Sequence, residues 1–390
     1  MRMPMRARLA LLCALALCPA LLAGCGSPPR IPPHTVLYMN SQGDGFSALD
    51  GASGRVLWTA SLGGNTLTPV YADGLLFSAG YWEKTGVALY ALDPASGAVR
   101  WQKRLQTDGL PAGLQISGDV LYLSAGNYAT HDAALYAVRP QTGEVLWRAP
   151  VPEVLCTSLL ITGGRVYFAT SPSEPPTSEG AVLALDAKTG ARLWRAPLTG
   201  DPYSTPVLAG GNIVLSVDGG WVVALRPQDG AQVWRYQPPN YRVGLSSVDT
   251  ADGLLYVVAE RTLYALDAAR GTLRWQRTVD GSSDRSHQQY LPVMAHGTLY
   301  LLAGNDERVY ALRPTDGSTI WAYDDLGYAR SYQPIVDAGI VYFVTGYGGV
   351  DAVSEADGGL VRRYDAQLYG TGVLVRQVAT TGTATPTPRR

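Results

Sequence analysis

Leu89-Tyr90-Ala91-Leu92-Asp93-Pro94-Ala95-Ser96-Gly97-Ala98-Val99-Arg100-Trp101 is a phrase that the chain repeats. Anchored on its Gly and Trp, it returns at Gly54/Trp58, Gly143/Trp147, Gly190/Trp194, Gly230/Trp234, Gly271/Trp275 and Gly317/Trp321. An eighth copy at Gly358 keeps Ala352 but puts Arg362 where the Trp belongs. Successive glycines lie 40 to 47 residues apart, and a fixed period in that range marks a repeat architecture. Seven of the 9 tryptophans hold this one position, which chance does not produce.

The phrase has a direct physical reading. Leu-Tyr-Ala-Leu-Asp alternates as a half-buried strand does. In Asp-x-x-Ser-Gly the carboxylate can hydrogen-bond backbone two residues on, and Gly supplies the positive φ of a tight turn. Val-Arg-Trp then begins the returning strand. Upstream lies a weaker phrase, Thr68-Pro69-Val70-Tyr71-Ala72-Asp73-Gly74-Leu75-Leu76-Phe77, with relatives at Thr205-Pro206, Leu291-Pro292 and Gln333-Pro334. It reads as strand, Gly turn, strand. Each repeat is therefore four antiparallel strands, A to D.

One such sheet cannot bury both faces, so the units stack, and radial stacking gives an all-β, eight-bladed β-propeller over residues 35–378. The ends of that range favour a ring over an open solenoid. The first repeat starts at Thr35-Val36-Leu37-Tyr38-Met39 without a strand A, and the last is followed by a spare strand, Gly370 to Gln377. Joined, they complete blade one and hide two sheet edges. The eighth copy, with Arg362, Arg363 and Tyr364 in place of the Trp, is expected to be the loosest blade. Residues 379–390 are expected to form a disordered tail.

Residues 1–24 stand apart from the repeats. Arg2, Arg6 and Arg8 form a basic start, and Leu9 to Leu22 an apolar stretch short for a bilayer span. Leu22-Ala23-Gly24-Cys25 resembles a bacterial lipobox, which implies cleavage before Cys25 and lipidation of its sulfur. Residues 25–34, rich in Pro, then read as lipidated Cys and extended tether. Gly26 follows the Cys, where inner-membrane retention of Gram-negative lipoproteins commonly uses Asp. Of 4 cysteines, Cys13 and Cys18 leave with the leader and Cys25 is acylated; Cys156 alone remains, so no intramolecular disulfide is expected. The formal charge of −1 becomes more negative once the three leader arginines go, which argues against nucleic acid as a partner.

Ala-Leu-Asp-x-x-Thr/Ser-Gly-x-x-x-Trp resembles the repeat of the quinoprotein (PQQ-like) propellers, a family in which the Trp docks one blade onto the next. The resemblance covers essentially all of residues 35–378 and implies structural docking roles for Trp58, Trp101, Trp147, Trp194, Trp234, Trp275 and Trp321. With the lipobox it points to the BamB-type lipoproteins of outer-membrane β-barrel assembly. No contact motif of that family stands out, so no binding residue carries over by number.

Placing A–B and C–D turns on one face puts the B–C and D–A loops on the other. The second set is longer and more irregular, as binding loops on a rigid scaffold tend to be. It carries Tyr81, Trp82, Tyr128, Tyr241, Arg242, Arg285, His287, Tyr328, Arg330 and Tyr332, residue types favoured at protein-interface hot spots. These form the candidate interaction rim, although the same rings also suit packing of their own loops. Catalytic signals are weak. Asp50, Asp93, Asp186 and Asp267 fall on the turn position, the four histidines have no metal-ligand spacing, and no phosphate loop or nucleophile elbow occurs. The expectation is a non-enzymatic, monomeric, lipid-anchored propeller binding a protein partner, without cofactor or metal. It would face the periplasm from the outer membrane where the host has one, and otherwise lie outside the plasma membrane. A glycan- or ligand-binding propeller is the alternative; a PQQ-dependent dehydrogenase follows behind.

Overall fold

The computed structural model describes residues 30–41, 45–62, 67–82, 86–105, 107, 109–126, 133–151, 154–155, 157–171, 180–202, 204–239, 243–244, 253–259, 262–278, 292–303, 308–324, 334–345, 349–364 and 373–377. These form eight antiparallel blades of a β-propeller. Blade two is typical: strands A to D are Val70–Ala72, Leu75–Trp82, Gly86–Leu92 and Val99–Arg104, paired in that order. In blade four the first strand is split into Val154–Leu155 and Leu160–Thr162, both paired with Arg165–Ser171. The leader expected over residues 1–24, Cys25, Cys156 and the tail expected over 379–390 lie outside the described residues. Ile31, at the end of the expected tether, packs against the cluster where blade eight meets blade one.

The ring closes as the termini predicted. The last strand, Val373–Gln377, pairs antiparallel with Thr35–Ser41, with Val375 opposite Leu37. Blade one thus takes its strand A from the far end of the chain. Each core cluster spans two neighbouring blades: one joins Leu37, Met39 and Leu49 of blade one to Ile340, Tyr342 and Val350 of blade eight. The hydrophobic core is therefore a set of seams between sheets, not one central mass.

One device builds seven of the eight seams. In blade three the Trp147 Nε1–H donates to the Ala187 carbonyl of blade four, 3.1 Å away. The same bond joins Trp58 to Pro94, Trp101 to Pro140, Trp194 to Pro227, Trp234 to Ala268, Trp275 to Pro314 and Trp321 to Glu355. Each ring also covers the turn glycine of the next blade. At Gly143 φ is +70°, and a Cβ there would stand 2.8 Å from the Trp101 ring. Glycine is required twice over, by backbone conformation and by the neighbouring ring.

A bulge aims the Trp. In every blade strand D carries one extra residue just before it: in blade two Ala91 pairs with Trp101 and Leu92 with Val99, leaving Arg100 unpaired. The shift recurs in the other seven sheets. A bulge bends and twists its strand, which here turns the ring toward the next blade.

The eighth seam is occupied by a different ring. Tyr364, two residues beyond Arg362, is buried; its hydroxyl donates to the Gly51 carbonyl at 2.7 Å, the acceptor equivalent to Pro94 or Ala187. Its ring meets Gly54, the turn glycine of blade one. Blade eight is thus docked by a Tyr, where the sequence pattern showed only a missing Trp. Tyr364→Phe keeps the ring and orphans a buried carbonyl. We expect a loss of about 1–2 kcal/mol, read as a lower urea midpoint at unchanged slope.

The turn aspartates act on their own turns. Asp50 Oδ1 accepts from the Ser53 amide and hydroxyl at 2.7 and 2.6 Å, and Asp186 Oδ1 from the Thr189 amide and hydroxyl, both at 2.8 Å. Asp267 also takes the Arg274 guanidinium at 2.6 Å. The Ser53 hydroxyl, the Arg100 guanidinium, the Thr189 hydroxyl and the Arg274 guanidinium are the main causes that hold Asp50, Asp93, Asp186 and Asp267 below the usual carboxylate range. Carboxylates depressed in the folded state stabilise it above the unfolded value near 3.9 and lose that effect as pH falls through the folded values. The urea midpoint should fall between pH 5 and pH 2, with a shallower fall in Asp267→Asn.

Candidate interaction site

The loop face expected to bind is only partly within the described residues. Tyr128, Tyr241, Arg242, Arg285, His287, Tyr328, Arg330 and Tyr332 lie outside them. Trp82 ends strand B of blade two, and only its backbone is described. Tyr81 is half-buried and packs against the cluster shared by blades two and three. The seven repeat tryptophans all sit at blade seams.

A second aromatic row shares those seams and has no counterpart in the sequence reading. Tyr38, Tyr122, Tyr167 and Tyr256 of strand B donate their hydroxyls to the carbonyls already taken by Trp58, Trp147, Trp194 and Trp275, at 3.1 to 3.3 Å. Each ring is tilted against its Trp at 5.8 to 6.0 Å between centroids. The signal was the aromatic that follows the A–B turn glycine, as in Gly74-Leu75-Leu76-Phe77 and Gly253-Leu254-Leu255-Tyr256.

Blades seven and eight add a buried ionic knot. Asp351 is fully buried, and Arg363 reaches it through Nε and a terminal nitrogen, both at 2.9 Å. The Tyr323 hydroxyl donates to the same carboxylate at 2.7 Å. Burial, with the Asp351 carboxylate behind it, pushes Tyr323 up to about 12. Every carboxylate oxygen is engaged, so this knot fastens a seam and offers nothing to a ligand.

The seam between blades four and five is open. A cleft of about 350 Å³ runs between strand D of blade four (Arg192–Pro197) and strands C and D of blade five (Trp221–Leu225 and Gln232–Tyr236). Its apolar lining includes Leu198, Val217, Val223 and Leu225, and Arg195 and Arg235 line it with Trp221. The Arg235 guanidinium lies over the Trp221 ring, 4.5 Å from its centroid, a cation–π geometry. Trp221 is set by a short 3-10 turn, Asp218–Gly220, in which Gly219 and Gly220 take φ of +74° and +76°. The Gln237 amide donates to the Gly219 carbonyl at 2.8 Å, and the Asp218 N–H to the Asp201 carbonyl at 2.7 Å. The loop beside the cleft is therefore held from two sides.

One residue of the cleft differs from its place in four other blades. The residue before the Ala that pairs with the docking Trp is Tyr90, Tyr136, Tyr264 or Tyr310 in four blades, and each of these packs into the seam with the preceding blade. In blade five that residue is Val223. Val223 lines the cleft, whereas Ser47, Leu183 and Asp351 hold the same position in blades one, four and eight.

Comparison with known proteins places the repeats. A family model described as outer membrane protein assembly factor BamB matches residues 84–245 and 218–383. Outer membrane protein assembly factor BamB of Yersinia pestis is 26% identical over 178 residues, a stretch covering 43% of this chain and 43% of that protein. The chain thus spans less than half the length of this curated relative. Among solved structures, BamB from Moraxella catarrhalis aligns with a TM-score of 0.54 at 16% identity, covering 84% of this chain and 91% of that one. Quinohemoprotein alcohol dehydrogenase from Comamonas testosteroni aligns at 0.58 and 15% identity, covering 76% and 66%. Likeness at such identity speaks for the shared propeller alone.

Proposed function

The chain belongs to the outer membrane protein assembly factor BamB family, and from that premise we propose that it is a lipid-anchored, non-enzymatic propeller that holds a protein partner at a membrane surface. The observation that carries this reading is the family match from residue 84 to residue 383, blade two through the closing strand. The lipobox-like Leu22-Ala23-Gly24-Cys25 supports the anchor, and a mature lipoprotein with more than one acyl chain is held firmly at its membrane. The partner in this reading is a component of β-barrel assembly, and the protein faces the periplasm from the outer membrane. Side chains of the loop face, with Tyr81, Trp82, Tyr128, Tyr241, Arg242, Arg285, His287, Tyr328, Arg330 and Tyr332 as candidates, make the contact. The dehydrogenase reading rests on the shared propeller alone.

The test is chemical cross-linking and co-purification of the protein from its native membranes. We expect recovery of an outer-membrane β-barrel assembly protein, and loss of it in a multiple alanine variant of the rim that keeps its melting temperature. Cys25→Ser should release the protein from membranes. Recovery of a glycan and no protein would overturn the scaffold reading.

A further inference from the structure

The cleft between blades four and five is a built site whose chemistry selects one kind of occupant. Its floor is aliphatic and its walls bear two guanidinium groups. Among the described residues no carboxylate pairs with Arg235, while Asp229, the acidic residue on the wall, is paired with Arg226 at 2.9 Å. Arg235, its guanidinium carbon 4.5 Å from the centroid of the Trp221 ring, carries N–H groups in the fork geometry that matches the two oxygens of a carboxylate. A free inorganic anion would leave the aliphatic floor unused. Nucleic acid does not suit a chain of net negative charge. About 350 Å³ is at the small end of ligand sites, which run from roughly 300 to 1,000 Å³.

We propose that this cleft takes an extended peptide segment in which an Asp or Glu stands beside an apolar side chain. The carboxylate meets Arg235, and the apolar side chain fills the volume that Tyr90, Tyr136, Tyr264 and Tyr310 fill at other seams. Its assignment to a peptide rests on the reading that this propeller binds protein.

The test uses the purified full chain and a fluorescein-labelled peptide, Gly-Leu-Asp-Phe-Glu-Gly, followed by fluorescence anisotropy. We expect saturable binding, at least about tenfold weaker for the counterpart Gly-Leu-Asn-Phe-Gln-Gly, because hydrogen bonds to charged groups are the stronger ones. Val223→Tyr restores the residue used in four other blades and should cost about tenfold or more in affinity with the melting temperature kept. Arg235→Gln, at an exposed position, should do the same and serves should the first variant misfold. Equal binding of both peptides, wild-type affinity in both variants, or no binding overturns the proposal. The membrane co-purification is run in parallel. A partner recovered as well by Val223→Tyr as by wild type sinks the cleft and spares the scaffold reading. A wild-type protein that recovers no partner sinks that reading, while the peptide titration still judges the cleft.

Discussion

Trp234→Ala should cost about 4–5 kcal/mol. Truncating a buried Trp to Ala typically costs about 3–5 kcal/mol through lost transfer energy and the cavity left behind. Trp234 is the docking ring of blade five, 8% exposed, and it lies against Gly271, where no Cβ can follow it into the gap. Its Nε1–H donates to the Ala268 carbonyl at 3.1 Å. Strand B of blade five offers Val214 where blades one, three, four and six offer a Tyr that reaches the shared carbonyl, so no phenol remains to satisfy it, and an orphaned buried acceptor adds about 1–3 kcal/mol.

Trp147→Ala is the informative control. There Tyr122 also donates to the same acceptor, Ala187, at 3.1 Å, so the carbonyl keeps a partner and the loss should be smaller by about 1 kcal/mol. Urea unfolding of the two variants at equal slope measures the difference directly. A cost below about 1 kcal/mol for both would mean that the seams are held by the aliphatic residues between them, and that the repeat Trp is dispensable.

Those variants also mark how far the sequence could be read. The period, the four-strand unit and the closure were legible because each is written in residues adjacent along the chain: Asp93 to Gly97 is a turn wherever it occurs. The contacts between blades were legible only where a conspicuous residue holds a constant offset, as Trp does. Tyr364 escaped because a shift of two residues along strand D breaks the offset while the ring still reaches Gly51 and Gly54. The strand B tyrosines escaped because loop length moves them by several residues relative to the Trp they share an acceptor with. Val223 carries no signal alone, since a Val in a strand is unremarkable until the sheets are aligned and four of its equivalents prove to be Tyr. The loop-face candidates, rich in Tyr and Arg, fall almost wholly outside the described residues, so their part in binding rests on the experiments proposed for them.

Ending the chain after Tyr364 should be more damaging than any docking substitution, and reversible by adding the missing strand. Removing Val373–Gln377 strips Thr35–Ser41 of one of its two neighbours and leaves the inner edge of blade one unpaired. Tyr364 and Gly51 would still join blades eight and one, so the truncated protein is not expected to be a random coil. It should melt at least about 10 °C lower, several kcal/mol at roughly 2–4 °C each, and associate at high concentration through the exposed strand edge. A synthetic peptide of residues 370–378 can fill that edge by strand addition. Its effect should grow with the logarithm of its concentration, as for any ligand of the folded state, and a peptide with Pro in place of Leu374, which pairs with Tyr38, should fail, because Pro removes a ladder donor. A truncated chain that melts with the wild type would show that blade one does not depend on the closing strand. Recovery with the native peptide and none with the Pro variant would assign the lost stability to the backbone ladder between the two ends of the chain.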